Sequence, residues 1–362
     1  MSSPAPVCVE DFERAAALSL PDGSLGYYAG GAGDELTLRA NREAWGRHAL
    51  RPRMLVDVGQ VDPSTTVLGS PVSFPAIVAP TALHRLATAR GELATAEASA
   101  QAGTLMTLST LATIGPAELA AAAPPAPRWF QLYLTREPSL NEALIGAAAD
   151  SGYSAIVLTV DAPRPGLRER DLHTGFRVPQ GVDMPAVSSA LGRSEGVTVE
   201  EFFSIVDPTV TWERFAQMAA SSPLPVVVKG ILTAEDAALA CEHGAAGVIV
   251  SNHGGRQLDG VQATAFALPE VVAAVDGRVE VLVDGGIRRG RDILVALALG
   301  ARAVLVGRPV LWGLAVGGRA GALQVLERLR FEFETDLALL GCRTPADVQP
   351  SHACPAGPQA QA

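Results

Sequence analysis

Eight short apolar segments recur along the chain, and each ends in polar or glycine residues. Their valine, isoleucine and leucine residues follow one another without polar alternation, which is typical of parallel strands buried on both faces. Mostly alanine-rich stretches of helical character separate the segments. The predicted strands comprise residues 74–79, 104–108, 128–133, 155–160, 225–228, 246–250, 279–283 and 303–306.

This alternation of strands and helices predicts an α/β fold, and eight successive units predict a closed (β/α)8 TIM barrel. The competing fold is a doubly wound sheet, which needs a Gly-x-Gly-x-x-Gly turn after its first strand; this chain has none there. We therefore expect a single domain over residues 1–362. Its parts are a helical N-terminal cover over about 1–74, the barrel over about 75–342 and a flexible tail over about 343–362, rich in proline, alanine and glutamine.

One connection is too long for an ordinary loop. It follows the fourth strand and runs from Arg164 to about Pro208, with several prolines and glycines. Loops longer than about 12–15 residues in compact domains usually serve a function or are disordered. Because this one leaves the carboxyl end of a strand, we predict a long, mobile lid loop over the active face.

Composition limits the possible partners. The net charge of −10 argues against nucleic acid and against an anionic membrane surface. None of the four cysteines forms a Cys-x-x-Cys pair or has zinc-type spacing with histidine, so we expect no metal site and reduced thiols. With no secretory-signal pattern at the start and no apolar run that could span a bilayer, we expect a cytoplasmic protein without stable membrane insertion.

The sixth predicted strand ends in the stretch 251–260, Ser-Asn-His-Gly-Gly-Arg-Gln-Leu-Asp-Gly. The imidazole of His253 can take a proton near neutral pH. The guanidinium of Arg256 can bind a carboxylate through two parallel hydrogen bonds. Together they suggest a substrate with an acid group and an acidic proton. Taken alone, the stretch could also be a glycine-rich turn with a capping histidine.

Other predicted strand ends carry groups suited to a flavin. Glycines and arginines follow the last two strands, where barrels commonly bind phosphate, although solvated turn residues would give the same pattern. Polar side chains and a lysine end the earlier strands and could contact the edge of a flat heterocycle. A phosphate at one end and a polar ring edge at the other suit FMN.

Residues 251–259 resemble the signature of the FMN-dependent 2-hydroxy-acid oxidases and dehydrogenases, the family that includes glycolate oxidase, lactate oxidase and mandelate dehydrogenase. The resemblance extends over about 12–342. Single pieces are weakly specific, but the set in order is highly specific. The other matching pieces are 27–31, 51–53, 80–82, 129–133, 158–161, 228–230, 284–288 and 307–309.

The resemblance implies catalytic and substrate-binding roles. His253 would be the base that takes the substrate hydroxyl proton while the α-hydrogen leaves as hydride to flavin N5; abstraction of the α-proton to a carbanion would use the same histidine. Asp161 would orient His253 and stabilise its imidazolium, although it could instead be a helix cap. Arg168 and Arg256 would clamp the substrate carboxylate, and Tyr27 and Tyr133 would hydrogen-bond to the substrate.

The resemblance also implies how FMN is held. Lys229 would stand by flavin N1 and O2, where negative charge develops on reduction. The isoalloxazine ring would contact Ser109, Gln131, Thr159, Ser251 and the backbone of Pro80, Thr81 and Ala82. The ribityl and phosphate groups would contact Asp284, Gly285, Gly286, Arg288, Gly307 and Arg308.

Three departures from the family pattern bear on the substrate. Leu111 stands where the family often carries an aromatic residue, a tryptophan in glycolate-type enzymes. Leu167 replaces the first arginine of a frequent Arg-Arg pair, and Pro165 replaces a usual leucine. Because Leu111 leaves more room, we predict a substrate side chain larger than that of glycolate. A hydrophobic pocket discriminates between substrates that differ by one methylene by only about 1–3 kcal/mol of transition-state binding free energy.

The sequence thus predicts FMN-dependent oxidation of an (S)-2-hydroxy acid to the 2-oxo acid, with O2 as acceptor and H2O2 as product. The resemblance suggests a homo-oligomer, specifically a tetramer. One alternative is the same half-reaction with a quinone or another acceptor; Ala82 favours O2. A non-redox FMN barrel, such as an isopentenyl diphosphate isomerase, would leave His253, Arg256 and Arg168 unexplained. A barrel that only binds is the third possibility.

Overall fold

The N-terminal cover consists of three helices followed by short strands. The computed structural model describes residues 5–193 and 196–356. In this cover, α1 is Val9–Ser19, α2 Asp22–Ala29, α3 Leu36–Gly46, β1 His48–Leu50, β2 Thr65–Val67 and β3 Ser70–Val72. The strands β2 and β3 form an antiparallel hairpin, and its Val67 and Val72 are buried against the residues that fill the barrel. The predicted cover is therefore helical as far as Gly46 and ends in a hairpin that packs on the barrel core.

Eight parallel strands close into a barrel in which the last strand pairs with the first. All eight strands predicted from the apolar pattern are confirmed, with small shifts at their ends. They are β4 (Ala76–Val78), β5 (Met106–Leu108), β6 (Arg128–Leu132), β7 (Ala155–Thr159), β8 (Val226–Ile231), β9 (Gly247–Val250), β10 (Glu280–Val283) and β11 (Ala303–Val306).

Helices surround the barrel and pack on its outer face. They are α4 (Gly91–Ala102), α5 (Pro116–Ala122), α6 (Pro138–Asp150), α10 (Trp212–Ser221), α11 (Ala234–Glu242), α12 (Thr264–Val275), α13 (Gly290–Ala298) and α14 (Arg308–Leu340); the long connection carries α7 (Glu169–His173), α8 (Pro185–Ala190) and α9 (Val199–Ile205). The backbone of α14 departs from helical angles at Gly317 and Gly318. None of the described helices combines the length and the apolar composition needed to cross a bilayer.

The core has two layers because each strand is buried on both faces. Inside the barrel, Ile77, Trp129, Ile249 and Leu282 are fully buried and pack together. The neighbouring positions on the same strands face outward and pack against the surrounding helices. This double burial explains the continuous apolar runs in the sequence.

The long connection after β7 contains three short helices: α7 (Glu169–His173), α8 (Pro185–Ala190) and α9 (Val199–Ile205). The Thr198 side chain accepts a hydrogen bond from the Glu201 N–H and so starts α9. Phe202 on α9 and Val187 on α8 are fully buried. The predicted long lid loop therefore carries secondary structure and packs into the core; its mobility stays a prediction.

The predicted flexible tail over about 343–362 carries regular structure as far as residue 355, and its flexibility stays a prediction. Asp347 accepts hydrogen bonds from the N–H groups of Arg343 and Thr344, at 2.9 Å each, and this begins a short 3₁₀ turn. The strand β12 (Ala353–Pro355) then pairs antiparallel with β1. Its partner lies some 300 residues earlier, so local composition gave no sign of the pairing. Residues 357–362 of the predicted tail lie outside the described part of the chain.

Candidate active site

The loop after β9, residues 251–260, brings a histidine back over the barrel mouth; we call it the catalytic loop. Its turn needs glycine, because a Cβ on Gly255 would lie 2.6 Å from the backbone nitrogen of Leu38 in α3. His253 itself has a φ of 58°, in the left-handed region that few non-glycine residues adopt. Such strain at a strand end is common where a side chain is aimed for function.

The His253 side chain is held by the carboxylate of Asp161, which follows β7. The distance from His253 Nδ1 to Asp161 Oδ1 is 2.9 Å. Because an ionised carboxylate can only accept, Nδ1 carries the proton and Nε2 is left as an acceptor. The pair therefore presents an imidazole nitrogen that can take a proton from a bound molecule.

Electrostatics favour this protonation state. Burial lowers the pKa of His253 below its ordinary value, the positive charges of Lys229 and Arg256 lower it further, and Asp161 opposes them. Burial would raise the pKa of Asp161, but His253 and Lys229 hold it below its ordinary value. At neutral pH the pair is thus a neutral imidazole on a carboxylate.

Two guanidinium groups lie near the Tyr27 ring. The Cζ of Arg256 is 5.0 Å from the ring centroid and that of Arg168 is 5.6 Å. Burial and the charge of Arg168 lower the pKa of Arg256 to about 10. The Asp171 carboxylate lies 3.6 Å from the Arg168 Nε and balances only part of this positive charge. Two close cations of this kind suit an anionic ligand such as a carboxylate.

A small cavity at the barrel mouth gathers most of the predicted substrate residues. His253, Tyr27, Tyr133 and Arg168 line it together. Arg256 does not line it; its Nη1 donates to the backbone oxygens of Tyr27 and Gly30 beside the cavity. The remaining lining residues are Pro80, Ala82, Ser109, Leu111, Phe203 and Gln257.

Two lining residues had no predicted role. Phe203, on α9, packs edge to face with Tyr133 at 5.6 Å between ring centroids. Nothing in its local sequence connects it with a strand end about 70 residues away. Gln257 stands inside the motif that identified the catalytic loop, so a signal existed, but its partners could not be read from one sequence.

A second cavity shares Pro80 and His253 with the first, and Lys229 lines it. The Lys229 Nζ donates to the Ser251 Oγ at 2.8 Å and lies 3.3 Å from the Asp284 carboxylate. Burial would lower the pKa of Lys229, but Asp284 and Asp161 raise it, so the side chain stays charged. The second oxygen of Asp284, Oδ1, is buried without a hydrogen-bond partner in the structure. It is available to a donor such as a ribityl hydroxyl.

The far end of the second cavity is strongly positive. Burial lowers the pKa of Arg288 to about 10, and burial with the charges of Arg256 and Arg288 places that of Arg308 well below its ordinary value. The Arg288 Nε is buried without a partner. At Gly286 a Cβ would lie 2.0 Å from the Asn41 oxygen, so the backbone here can only be glycine. Buried cations beside a glycine turn fit a phosphate group.

The predicted ring contacts form a connected polar row across β5, β6 and β7. The Ser109 Oγ donates to Gln131 Oε1 at 3.2 Å, and the Gln131 Nε2 donates to the Thr159 Oγ1 at 3.1 Å. The Thr81 hydroxyl is hydrogen-bonded to the buried His84 Nε2 at 2.6 Å, which leaves the strand-end backbone for a ligand. The residues lining the second cavity are Ala79, Pro80, Thr81, Lys229, His253, Gly254, Asp284, Gly285, Gly286, Ile287, Arg288, Leu305, Val306, Gly307 and Arg308.

These features define a class: a barrel enzyme with a phosphate-bearing cofactor beneath a histidine–carboxylate pair. Residues 16–355 match the family model described as FMN-dependent dehydrogenase, and the chain belongs to that family. FMN is its cofactor, and the unpartnered Asp284 oxygen, the buried Arg288 and the half-buried Arg308 fit the ribityl and phosphate groups. Within the described residues there is no group of three or more His, Cys, Asp or Glu side chains that could hold a metal ion.

Named relatives cover nearly the whole chain. L-lactate oxidase of Nostoc sp. is 48% identical over 96% of this chain and 97% of its own length. Glycolate oxidase 3 of Arabidopsis thaliana is 46% identical over 95% of this chain and 95% of its own. A solved structure of mandelate oxidase with (S)-4-hydroxymandelic acid is 44% identical, with a TM-score of 0.89, over 95% of this chain and 98% of that one.

Proposed function

We propose that this chain oxidises an (S)-2-hydroxy acid to the 2-oxo acid, with O2 as the acceptor and H2O2 as the product. The observation that carries the proposal is the cavity that Arg168 and His253 line together, with His253 held by Asp161, next to the cofactor cavity. The relatives named lactate, glycolate and mandelate oxidase support the same reaction type.

The protein groups divide the chemistry between them. Bound FMN would supply the acceptor for the hydrogen that leaves the substrate α-carbon. His253 Nε2 takes the hydroxyl proton, and Asp161 holds the imidazole in the tautomer that allows this and stabilises the imidazolium. Lys229 keeps a buried positive charge beside the cofactor cavity, where negative charge develops as FMN is reduced.

Substrate binding rests on the paired guanidinium groups and two phenols. Arg168, which lines the cavity, and Arg256, which lies beside it, bind the carboxylate. Its negative charge offsets the repulsion by Arg168 that, together with burial, lowers the pKa of Arg256. The Tyr133 hydroxyl stays protonated, because burial raises its pKa above its ordinary value, and it therefore donates a hydrogen bond to the substrate. Tyr27 is stacked on Phe176, with ring centroids 4.9 Å apart, and this stack holds its ring near the two arginines.

The substrate side chain would meet an apolar wall. Leu111 and Phe203 line the cavity with Ala82 and have no charged group to offer. A leucine in place of a larger aromatic residue leaves room, so we expect lactate, longer aliphatic acids or mandelate to be preferred to glycolate. A dehydrogenase that uses a quinone or another acceptor is the second candidate for the same half-reaction. The homotetramer and the cytoplasmic location stay predictions, the first tested by light scattering of the purified protein.

The deciding experiment is a panel of glycolate, (S)-lactate, (S)-2-hydroxyoctanoate and (S)-mandelate, with their (R) forms as controls where these exist. Peroxide formation and dye reduction are measured in parallel. We expect peroxide from the (S) acids, with glycolate slowest. Dye reduction without peroxide would favour the dehydrogenase. If no acid bleaches the flavin band without oxygen, the oxidation proposal fails and a non-redox barrel is favoured.

A matched variant tests the role of the wall. In Leu111→Trp a larger ring fills the space next to Phe203. The preference for (S)-2-hydroxyoctanoate over glycolate, as a ratio of kcat/KM, should fall by roughly 10–200-fold. An unchanged ratio would show that Leu111 does not bound the substrate side chain.

A further inference from the structure

Gln257 joins two segments that carry different parts of the site. Its Oε1 accepts a hydrogen bond from the Gly166 N–H at 3.0 Å. Its Nε2 donates to the backbone oxygens of Asp161, at 3.0 Å, and Arg164, at 3.1 Å. One side chain thus makes three hydrogen bonds to residues 161–168, which we call the lid root. Its acceptor and both of its donor hydrogens are used in this way.

The backbones of the two segments also approach closely at Gly166. A Cβ on this glycine would lie 2.3 Å from the Arg256 oxygen and 2.8 Å from the Gln257 Cα. The φ of Gly166 is not positive, so glycine is needed here for space and not for conformation. The lid root therefore packs directly against the catalytic loop, with Gln257 bonded across the junction.

The N-terminal cover contacts both segments from the other side. The Ala32 N–H donates to the Gly255 oxygen at 2.8 Å, and the Gly33 N–H donates to the Leu167 oxygen at 3.0 Å. Of these two adjacent residues of the cover, Ala32 contacts the catalytic loop and Gly33 contacts the lid root. These two hydrogen bonds and those of Gln257 link the catalytic loop to the lid root.

This junction matters because the lid root carries two site residues. Asp161 is its first residue and partners His253; Arg168 is its last and lines the substrate cavity. His253 and Arg256 belong to the catalytic loop. A shift between the segments would therefore misalign the base with its carboxylate and separate the two guanidinium groups at once. Misplacement by about 1 Å can cost 10²-fold in rate.

We propose that Gln257 is a positioning residue that locks the lid root to the catalytic loop and so sets both the Asp161–His253 pair and the Arg168–Arg256 clamp. This inference rests on the proposed function for the roles of those four residues. It adds that the geometry of each pair depends on the junction between the lid root and the catalytic loop, because each pair has one residue in each segment. Gln257 acts through the backbone of its neighbours, and no proton transfer passes through it.

The test compares Gln257→Met, which keeps the side-chain length and removes all three hydrogen bonds, with Leu258→Ala. Leu258 is the next residue, is 73% exposed and serves as the control. Each FMN-loaded variant is assayed for kcat and KM with the best acid of the panel. Binding of oxalate, an unreactive probe with a carboxylate and a neighbouring oxygen, is measured from the flavin spectrum. Amide exchange of the peptide containing Gly166 is measured in parallel.

For Gln257→Met we expect kcat to fall and the oxalate Kd to rise, each by about tenfold, since three hydrogen bonds are lost. The Gly166 amide should exchange faster while peptides of the barrel strands keep their protection. Leu258→Ala should match the wild type in every measurement. Unchanged kcat and oxalate Kd would overturn the proposal, and so would faster exchange throughout the chain with a lower melting temperature.

If Gln257→Met does not fold, Gln257→Glu replaces it. This variant keeps the acceptor for Gly166 and loses the two donors, so we expect protected Gly166 exchange with a reduced kcat. A normal kcat in this variant would contradict the proposal. Failure of the proposed function is separable, because oxalate binding and amide exchange report on the junction even if no 2-hydroxy acid is oxidised.

Discussion

The two ends of the barrel strands differ in chemistry although they belong to the same short segments. At the amino-terminal end and in the middle, Leu105, Trp129 and Val227 are fully buried in the apolar cluster that fills the barrel. At the carboxyl end, within a few residues, Lys229 and Asp284 carry buried charges, and the Oδ1 of Asp284 and the Oδ2 of Asp161 are buried without a hydrogen-bond partner.

The difference shows that stability and chemistry are separated along each strand. Apolar burial stabilises the barrel wherever it occurs. Buried charges stabilise it only when they are paired. Burial lowers the pKa values of Arg256, Arg288 and Arg308, and the charges of neighbouring arginines lower them further. The carboxyl end therefore carries charges that are unfavourable until FMN and a carboxylate are bound. Substitutions at the two ends should consequently affect different measurements.

The largest effect is expected at the carboxyl end, in His253→Asn. Asparagine tolerates the left-handed backbone at this position, so the loop should keep its shape. Without the base, kcat should fall by about 10²–10⁴. The melting temperature and FMN content should stay close to those of the wild type. A variant with normal kcat would remove His253 from the mechanism, and one that lost FMN would show that the residue has a structural role.

The opposite response is expected in the barrel core, in Leu105→Ala. Leu105 is fully buried inside the barrel, beside the start of β5 and away from the cavities. Its truncation should lower the free energy of unfolding by about 2–5 kcal/mol. Urea titrations of wild type and variant at the same FMN concentration measure this, because bound cofactor adds to apparent stability.

In the same variant, kcat measured well below the melting temperature should equal that of the wild type. A large loss of kcat with little loss of stability would contradict the separation of the two strand ends. His253→Asn and Leu105→Ala together therefore test whether chemistry and stability are separated between the two ends of the strands.

The same comparison explains which features could be predicted from the sequence. The barrel strands were predictable because burial on both faces leaves a local, continuous apolar run, as in residues 246–250. The catalytic loop was predictable because its motif is contiguous. Its prediction needed only the rule that parallel strand ends share one mouth.

The features that were missed all depend on contacts between distant segments. Phe203 reaches the cavity because α9 folds back over β6, and β12 is ordered because it pairs with β1. Gln257 was visible in the motif, but its three acceptor and donor partners lie more than 90 residues away. The role of a residue that depends on contact between two distant segments cannot be predicted from the sequence of either segment alone.

The smallest predicted effect concerns pH and the Asp161 partner of the base. The base must be neutral to act, so kcat/KM should rise with pH through the pKa of His253. Burial, Lys229 and Arg256 place this pKa below its ordinary value, so the acidic limb should lie below about 6.5. In this pH range His253 binds fewer protons in the folded state than in the unfolded chain. The stability that the neutral His253 contributes is therefore lost as the pH falls from about 6.5 through the pKa of the folded state.

Asp161→Asn removes the group that raises the pKa of His253. The acidic limb of kcat/KM should therefore move to still lower pH, while the maximal rate falls because the imidazolium loses its counter-charge. Asp171→Asn makes the same chemical change beside Arg168 and should leave the limb in place. The pH position of the acidic limb therefore distinguishes Asp161, which contacts the base, from Asp171, which does not. A shift to higher pH in Asp161→Asn would mean that Asp161 does not stabilise the charged imidazole, and the buried pair would then have another role.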